Sequence, residues 1–255
     1  MLRIDRRGGG IADLVIARPE KRNAMSYEMW SSVPGLCAEL DADDSVKVVI
    51  LRGEGAHFCA GADIAEFGER RSTADSAREY GDRIESATHA LGHMSKPTIA
   101  MIQGYCIGGG CELAVACDLR FADSAAEFAI TPAKLGIVYA FGSTRTLVSL
   151  TSPSFARYLL YSGNRVTAEH ALRVGLIDEA VGADLLEKTT RDFATTIASR
   201  AQVSVRGSKT LIGKIAAGLD VADEEAANLP LLAVDSEDYR EGVAAFLAKR
   251  PPHFR

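Results

Sequence analysis

One stretch restricts the possible folds more than any other: Gly104-Tyr105-Cys106-Ile107-Gly108-Gly109-Gly110-Cys111-Glu112-Leu113-Ala114-Val115-Ala116-Cys117-Asp118. It follows Lys96-Pro97 and the apolar run Thr98-Ile99-Ala100-Met101-Ile102, which reads as a buried strand with a start signal. Glycines then lead into residues 111–117, apolar and helix-compatible apart from one acid. The order is strand, glycine turn, helix. The first turn of a helix carries N–H groups without intrahelical partners and the positive end of the dipole. Glycines let another molecule approach that backbone closely, so an anion, or an oxygen becoming one, is stabilised there. Glu112 adds a carboxylate three residues after Gly109. An electrophilic pocket with an adjacent acid or base is one reading. A tightly packed helix start with Glu112 compensating the dipole is the other.

The remaining bounds are permissive. A chain of 255 residues can bury a substantial core as one large domain or a domain with an appendage. With 47% hydrophobic and 25% charged residues and a net charge of −5, nothing points to nucleic acid or to an anionic membrane. Five cysteines without a C-x-x-C pair read as small buried hydrophobes of a reduced, cytoplasmic protein. The polar N-terminus does not read as a signal peptide, and no apolar run is long enough for a bilayer.

Along the chain, residues 2–4 and 11–16 flank Gly8-Gly9-Gly10 as a hairpin. Arg18-Pro19-Glu20-Lys21-Arg22-Asn23-Ala24 is a charged loop. A helix then begins after Ser26, with Met29, Trp30, Val33, Leu36 and Leu40 on one face and Pro34 as a possible kink. Residues 46–51 form a second buried strand, followed by a second small-residue turn, His57-Phe58-Cys59-Ala60-Gly61-Ala62-Asp63-Ile64. A polar helix is expected over 73–94, and short strands at 119–122 and 126–130. From Ser143 onward nearly everything reads as helix, apart from a strand at 176–178. Strands and helices alternate early and helices dominate late, which predicts a layered α/β core with a helical C-terminal appendage. Both turns follow strands and both expose backbone N–H groups, at Ala62 and Gly109. If they converge on one oxygen they make an oxyanion hole, each donor being worth about 3–4 kcal/mol of barrier; otherwise they are two unrelated tight turns.

Phe58-Cys59-Ala60-Gly61-Ala62-Asp63-Ile64 together with the Gly104 to Leu113 segment resembles the paired motifs of the enoyl-CoA hydratase/isomerase (crotonase) superfamily. The resemblance continues through Arg18 to Ala24, Lys96-Pro97, Ala116-Cys117-Asp118, Thr167-Ala168-Glu169-His170-Ala171, Val174-Gly175-Leu176-Ile177-Asp178 and Glu241-Gly242-Val243-Ala244-Ala245-Phe246-Leu247, so it covers essentially the whole chain in order. It implies an α/β, crotonase-like spiral of ββα units over residues 1–195. A helical C-terminal trimerisation region would occupy 196–255, assembling trimers or dimers of trimers. It also implies an acyl-CoA thioester whose carbonyl accepts from the Ala62 and Gly109 N–H groups. Ala24, Ala60, Gly61, Asp63, Ile64, Gly108 and Pro132 would line the site. No cofactor is implied beyond the coenzyme A carried by the substrate, and no metal.

What becomes of the enolate depends on the surrounding side chains. Hydratases of the family carry two glutamates. Glu112 matches the first, and the second would align with Pro132. General acid–base help is worth about 10²- to 10⁴-fold per well-placed group, and here one glutamate would have to serve both water and the α-carbon. Thr131-Pro132, Leu135-Gly136, Tyr139 and Asp235-Ser236-Glu237-Asp238-Tyr239 resemble instead the methylmalonyl-CoA decarboxylase branch, although that branch carries histidine where this chain has Ala62. Enoyl-CoA hydration is taken first, with decarboxylation and thioester hydrolysis as alternatives, and a non-catalytic CoA-sensing subunit as a further one. Thr131 and Tyr139 join Glu112, Ala62 and Gly109 as candidate catalytic positions; a core tyrosine is the plain alternative for Tyr139. By the same resemblance Lys21 and Arg22 would meet CoA phosphates, and Phe246 and Lys249 a neighbouring subunit's CoA. Asp63 and Asp118 read as bonding turn backbone. His89 and His93 have metal-compatible spacing but no further ligands in view. Cys59 and Cys111 lack a histidine base, which argues against a thiol nucleophile.

Overall fold

The computed structural model describes residues 1–254. Strands β1 (Leu2–Gly8) and β2 (Ile11–Ile16) form the hairpin, and Gly8, Gly9 and Gly10 all take positive φ at its turn. Helix α1 (Tyr27–Ala42) starts where the Ser26 hydroxyl accepts from the Met29 N–H, and it buries Met29, Trp30, Val33, Cys37 and Leu40. Cys37 thus takes the buried place expected of Leu36, and Pro34 sits inside the helix without ending it. Strand β3 (Val48–Gly53) leads through the second small-residue turn to the short α2 (Phe67–Arg70) and to α3 (Ala74–Gly92), capped reciprocally by Thr73 and Ser76. There follow β4 (Thr98–Ile102), β5 (Tyr105–Ile107), α4 (Gly109–Ala116), β6 (Leu119–Asp123) and β7 (Glu127–Ala129). The remainder is α5 (Phe141–Leu150), α6 (Pro153–Ser162), β8 (Val166–Thr167), α7 (Ala168–Arg173), β9 (Glu179–Val181), α8 (Ala183–Ala198), α9 (Gln202–Ala216), α10 (Glu224–Val234) and α11 (Glu237–Leu247).

The main sheet has the order β1-β2-β3-β4-β6-β9, parallel everywhere except the β1–β2 hairpin. Its inner strands are apolar on both faces, as a covered parallel sheet requires. Alternate residues of β3 and β4 serve different cores. Val49, Leu51, Ala100 and Ile102 join the large cluster under α1, α3 and α4, while Val48, Ile50, Ile99 and Met101 pack with Leu186, Ala194 and Ala198 of α8. A second sheet, β5-β7-β8, is extended by isolated bridges pairing Cys59 with Cys106 and Met25 with Ala62. After β3, β4 and β6 alike the chain turns, adds a strand or bridge to the second sheet, and enters a helix. That repeat is the ββα spiral.

Three local expectations change. Residues 105–107, read as part of the glycine turn, pair with β7 as β5, because the Gly104 backbone (φ 55°) redirects the chain into the second sheet. The strand expected at 176–178 lies at 179–181. Leu176 and Ile177 instead plug the core, and Asp178 accepts from the backbone N–H of Arg120 (2.7 Å) and from its guanidinium (2.8 Å). β8 lies in a stretch read as helical. Beyond Ala198 no described residue joins either large buried cluster. Helix α9 is tied back by Lys209, whose ammonium donates to the Lys96 carbonyl (2.9 Å) and to Asp118 (2.8 Å). Among the described residues no helix is long and apolar enough to cross a membrane.

Candidate active site

The two turns lie side by side because the second sheet aligns them. The Cys59 N–H donates to the Tyr105 carbonyl and the Ile107 N–H to the Cys59 carbonyl, both at 2.9 Å, so residues 59–62 run parallel to β5. On the opposite side the Met25 N–H donates to the Gly61 carbonyl and the Asp63 N–H to the Met25 carbonyl, both at 2.8 Å. Extended backbone alternates its polar groups from side to side, so bonds made by Gly61 and Asp63 turn the intervening Ala62 N–H away from Met25. It faces α4. A Cβ placed on Gly109 would lie 3.4 Å from the Ala62 nitrogen, and one on Gly61 would lie 3.3 Å from the Gly109 nitrogen. Neither amide has an acceptor among the described residues. Gly109 is the first residue of α4, so its N–H is one of the helix's orphan donors.

Only glycine fits at two of these positions. Gly61 has φ 100° and a Cβ there would come within 2.9 Å of the Ile107 carbonyl oxygen. At Gly109 a Cβ would meet the Trp30 ring at 2.8 Å. The glycines therefore serve close packing and exposed amides together, which joins the two readings that the sequence left side by side.

Glu112 lies on the same first stretch of α4 and is only 6% exposed. Burial raises its carboxyl to about 7, against the opposing pull of the Ser143 hydroxyl and the charge of Arg71. The Tyr139 hydroxyl is buried without a hydrogen-bond partner, and burial followed by the negative charge of Glu112 pushes its ionisation well up. That dependence places the phenol in the electrostatic range of Glu112. Thr131 stands just before the one-turn 3-10 helix Pro132–Lys134, and its hydroxyl oxygen would be 3.8 Å from a Cβ on Gly108. Pro132 opens that turn, so no carboxylate stands at its position. Ser143, Arg71, Tyr80 and Trp30 complete the surroundings. Sequence reasoning passed over the first three and read Trp30 as plain core; nothing in the local pattern around residues 71 or 80 connects them with residue 112.

The other candidate positions are distributed around this centre. Ala24, Ala60 and Gly108 are half-buried, and Ile64 is exposed. The Asp63 carboxylate pairs with Arg18 at 2.8 Å and accepts from the Ala65 N–H at 3.2 Å, so it braces the turn. Asp118 likewise accepts from the Thr98 N–H at 2.8 Å. Lys21 and Arg22 are exposed, with the Arg22 guanidinium over the Tyr105 ring. Phe246 projects from α11 into an apolar groove shared with Val203, Val243, Leu247 and Phe254, and Lys249 lies just beyond that helix. The His89 and His93 rings stack at 3.8 Å, and no cluster of metal-ligating residues occurs among the described residues. All five cysteines are free and buried; burial pushes Cys37, Cys59 and Cys117 up to about 12, far from a thiolate nucleophile.

The spiral of ββα units and its paired turns define an enzyme of the crotonase fold. The chain belongs to the enoyl-CoA hydratase/isomerase family, whose model matches residues 6–255. It is 35% identical over 246 residues to the crotonyl-CoA hydratase of Syntrophomonas wolfei, covering 96% of this chain and 94% of that one. It is 33% identical over 244 residues to the short-chain-enoyl-CoA hydratase of Clostridium acetobutylicum, covering 95% and 93%. A crystal structure of an enoyl-CoA hydratase/isomerase family protein from Hyphomonas neptunium superposes with a TM-score of 0.96 at 41% identity, covering 100% of this chain and 97% of that one. The chain is thus enoyl-CoA hydratase-like. None of these relatives lends support to decarboxylation or thioester hydrolysis.

Proposed function

We propose that this enzyme adds water to a short-chain 2-enoyl-CoA, with the thioester oxygen held between the Ala62 and Gly109 amides and Glu112 as its general acid and base. The observation that carries the reading is the pair of acceptor-free amides lying side by side next to a buried carboxyl raised to about 7. Two fixed donors at the position where enolate charge develops stabilise it without reorganisation. A carboxyl that titrates near neutrality is available both as base and as acid. In the forward direction Glu112 takes a proton from water as the water oxygen bonds to the β-carbon. Electrons of the double bond move onto the thioester oxygen. The enolate then collapses as Glu112 returns the proton to the α-carbon, so that one H and one OH are added across the double bond. With proline at position 132, one carboxyl performs both transfers, and the unpartnered Tyr139 hydroxyl is available to position the substrate.

Lys21 and Arg22 would meet the CoA phosphates. Phe246 and Lys249, on an apolar helical region outside the buried core, would meet a neighbouring copy in a trimer or dimer of trimers. The test offers crotonyl-CoA, following the absorbance of the conjugated thioester, and in parallel methylmalonyl-CoA, following CO₂. Steady loss of absorbance without release of free CoA or CO₂ is expected, with at least a 100-fold drop in Glu112→Gln. Release of free CoA or CO₂ in place of hydration, or an unaffected Glu112→Gln, overturns the proposal.

A further inference from the structure

Near this site stands a half-buried cation with no counter-ion among the described residues. Arg71 follows α2, its backbone N–H closing that helix on the Phe67 carbonyl at 2.9 Å. Its guanidinium folds back over the Phe67 ring at 4.8 Å and the Tyr80 ring at 5.5 Å. Those two rings meet edge to face, 5.5 Å apart. Tyr80 is fully buried near Trp30, whose ring packs against Gly109. A chain of packed side chains therefore runs from Gly109 through the fully buried Trp30 and Tyr80 to Arg71, which stands close enough for its charge to act on Glu112.

Most other half-buried or buried arginines are neutralised, the exception among the described residues being Arg206 of α9, which lies near Lys96 with its Nε buried and unpartnered. Arg18 pairs with Asp63, Arg52 and Arg191 with Asp13, and Arg120 with Asp178. Arg70, the preceding residue, reaches Glu28 at 3.7 Å. Among the described residues Arg71 is half-buried without any ion pair or side-chain hydrogen bond. Removing a charge from water without a partner is costly, and a guanidinium resting over aromatic rings with no hydrogen-bond partner keeps its donor fork free for a planar, bidentate anion. We propose that Arg71 binds a carboxylate at the far end of the acyl chain, so that the preferred substrates are enoyl-CoA thioesters of dicarboxylic acids. This rests on the thioester lying between Ala62 and Gly109 as argued above. The same cation offsets the repulsion that a second carboxylate would feel from ionised Glu112.

The test uses saturated thioesters, which bind without turning over. Affinities of the whole protein are measured calorimetrically for succinyl-, glutaryl- and adipyl-CoA against butyryl-, valeryl- and hexanoyl-CoA, pairs that differ only at the chain end. Wild-type protein is expected to favour one or more of the carboxylate-ended compounds by about 10- to 100-fold over its methyl-ended partner, the range of a charge-assisted hydrogen-bonded pair. Arg71→Gln is expected to bring that ratio close to one, and Arg71→Lys to restore part of it. Because the ratio is internal to each protein, a variant that is partly unfolded still reports it, and wild type alone can refute the proposal by showing no preference. Equal weakening of both partners in Arg71→Gln would also overturn it, assigning Arg71 to the CoA portion or to the fold. If the ratio behaves as expected while neither crotonyl-CoA nor a carboxylate-ended 2-enoyl-CoA is hydrated, the hydration reading fails and the carboxylate site stands; hydration without any preference separates them the other way.

Discussion

Replacing Glu112 by glutamine should make the enzyme more stable at neutral and alkaline pH, by an amount that depends on pH in a defined way. The carboxyl has an ordinary value of 4.5 and is raised to about 7 in the fold, with burial as the leading cause. Below pH 4.5 the group is protonated both folded and unfolded, so burial carries no charge penalty. Between 4.5 and about 7 the unfolded chain ionises first, and stability falls as pH rises. Above the folded value both states are ionised and the full penalty remains. At about 1.4 kcal/mol per pH unit the interval amounts to roughly 3 kcal/mol. Glutamine keeps the shape and removes the ionisation, so the difference in unfolding free energy between variant and wild type should grow by roughly 3 kcal/mol from pH 4.5 to pH 8. For a chain of this size that corresponds to a Tm gap widening by about 6–12 °C. Urea unfolding followed by circular dichroism, at fixed protein concentration and at half-unit pH steps, measures it. A difference that stays flat across the range, or that narrows, would refute the buried, raised carboxyl.

Further substitutions follow from the same geometry. Gly109→Ala places a methyl 2.8 Å from the Trp30 ring and 3.4 Å from the Ala62 nitrogen; hydration kcat should fall about 100-fold or more, read in the crotonyl-CoA absorbance assay with circular dichroism as the check on folding. Tyr139→Phe removes a buried hydroxyl that has no hydrogen-bond partner. Its Tm should therefore not drop, whereas kcat should fall about 10- to 100-fold through loss of a hydrogen bond made to the bound substrate as charge develops. Asp13→Asn tests the fold independently of the site: this fully buried carboxylate holds Arg7, Arg52 and Arg191 at 3.0, 2.9 and 3.0 Å. Leaving three cations around a neutral amide should cost about 3–5 kcal/mol in urea unfolding.

Much of this was legible in the chain, for physical reasons that differ by element. The capped helices and the apolar parallel strands show themselves because Ser26, Thr73 and the runs 48–53 and 98–102 carry local signals. Gly61 and Gly109 were legible as turn glycines, and their proximity followed only from resemblance, since the bridge from Cys59 to Cys106 joins segments 47 residues apart. The strands β5 and β8 were not legible. Each has three residues or fewer, and pairing in the second sheet rather than propensity makes them strands. The shift of β9 came from Asp178, whose hydrophobic neighbours read as strand but whose carboxylate is recruited by Arg120. Arg71 escaped for another reason. An unpaired arginine in a sequence looks like any surface cation until its aromatic neighbours and the missing carboxylate are seen in three dimensions.

The proposed hydration requires two amides from separate turns to hold one carbonyl oxygen. A crystal structure with a bound, slowly reacting acyl-CoA analogue measures this directly. The thioester oxygen should lie about 2.7–3.1 Å from both the Ala62 and the Gly109 nitrogens, with the α- and β-carbons beside Glu112. A thioester oxygen bound elsewhere, or touching only one of the two amides, would contradict it.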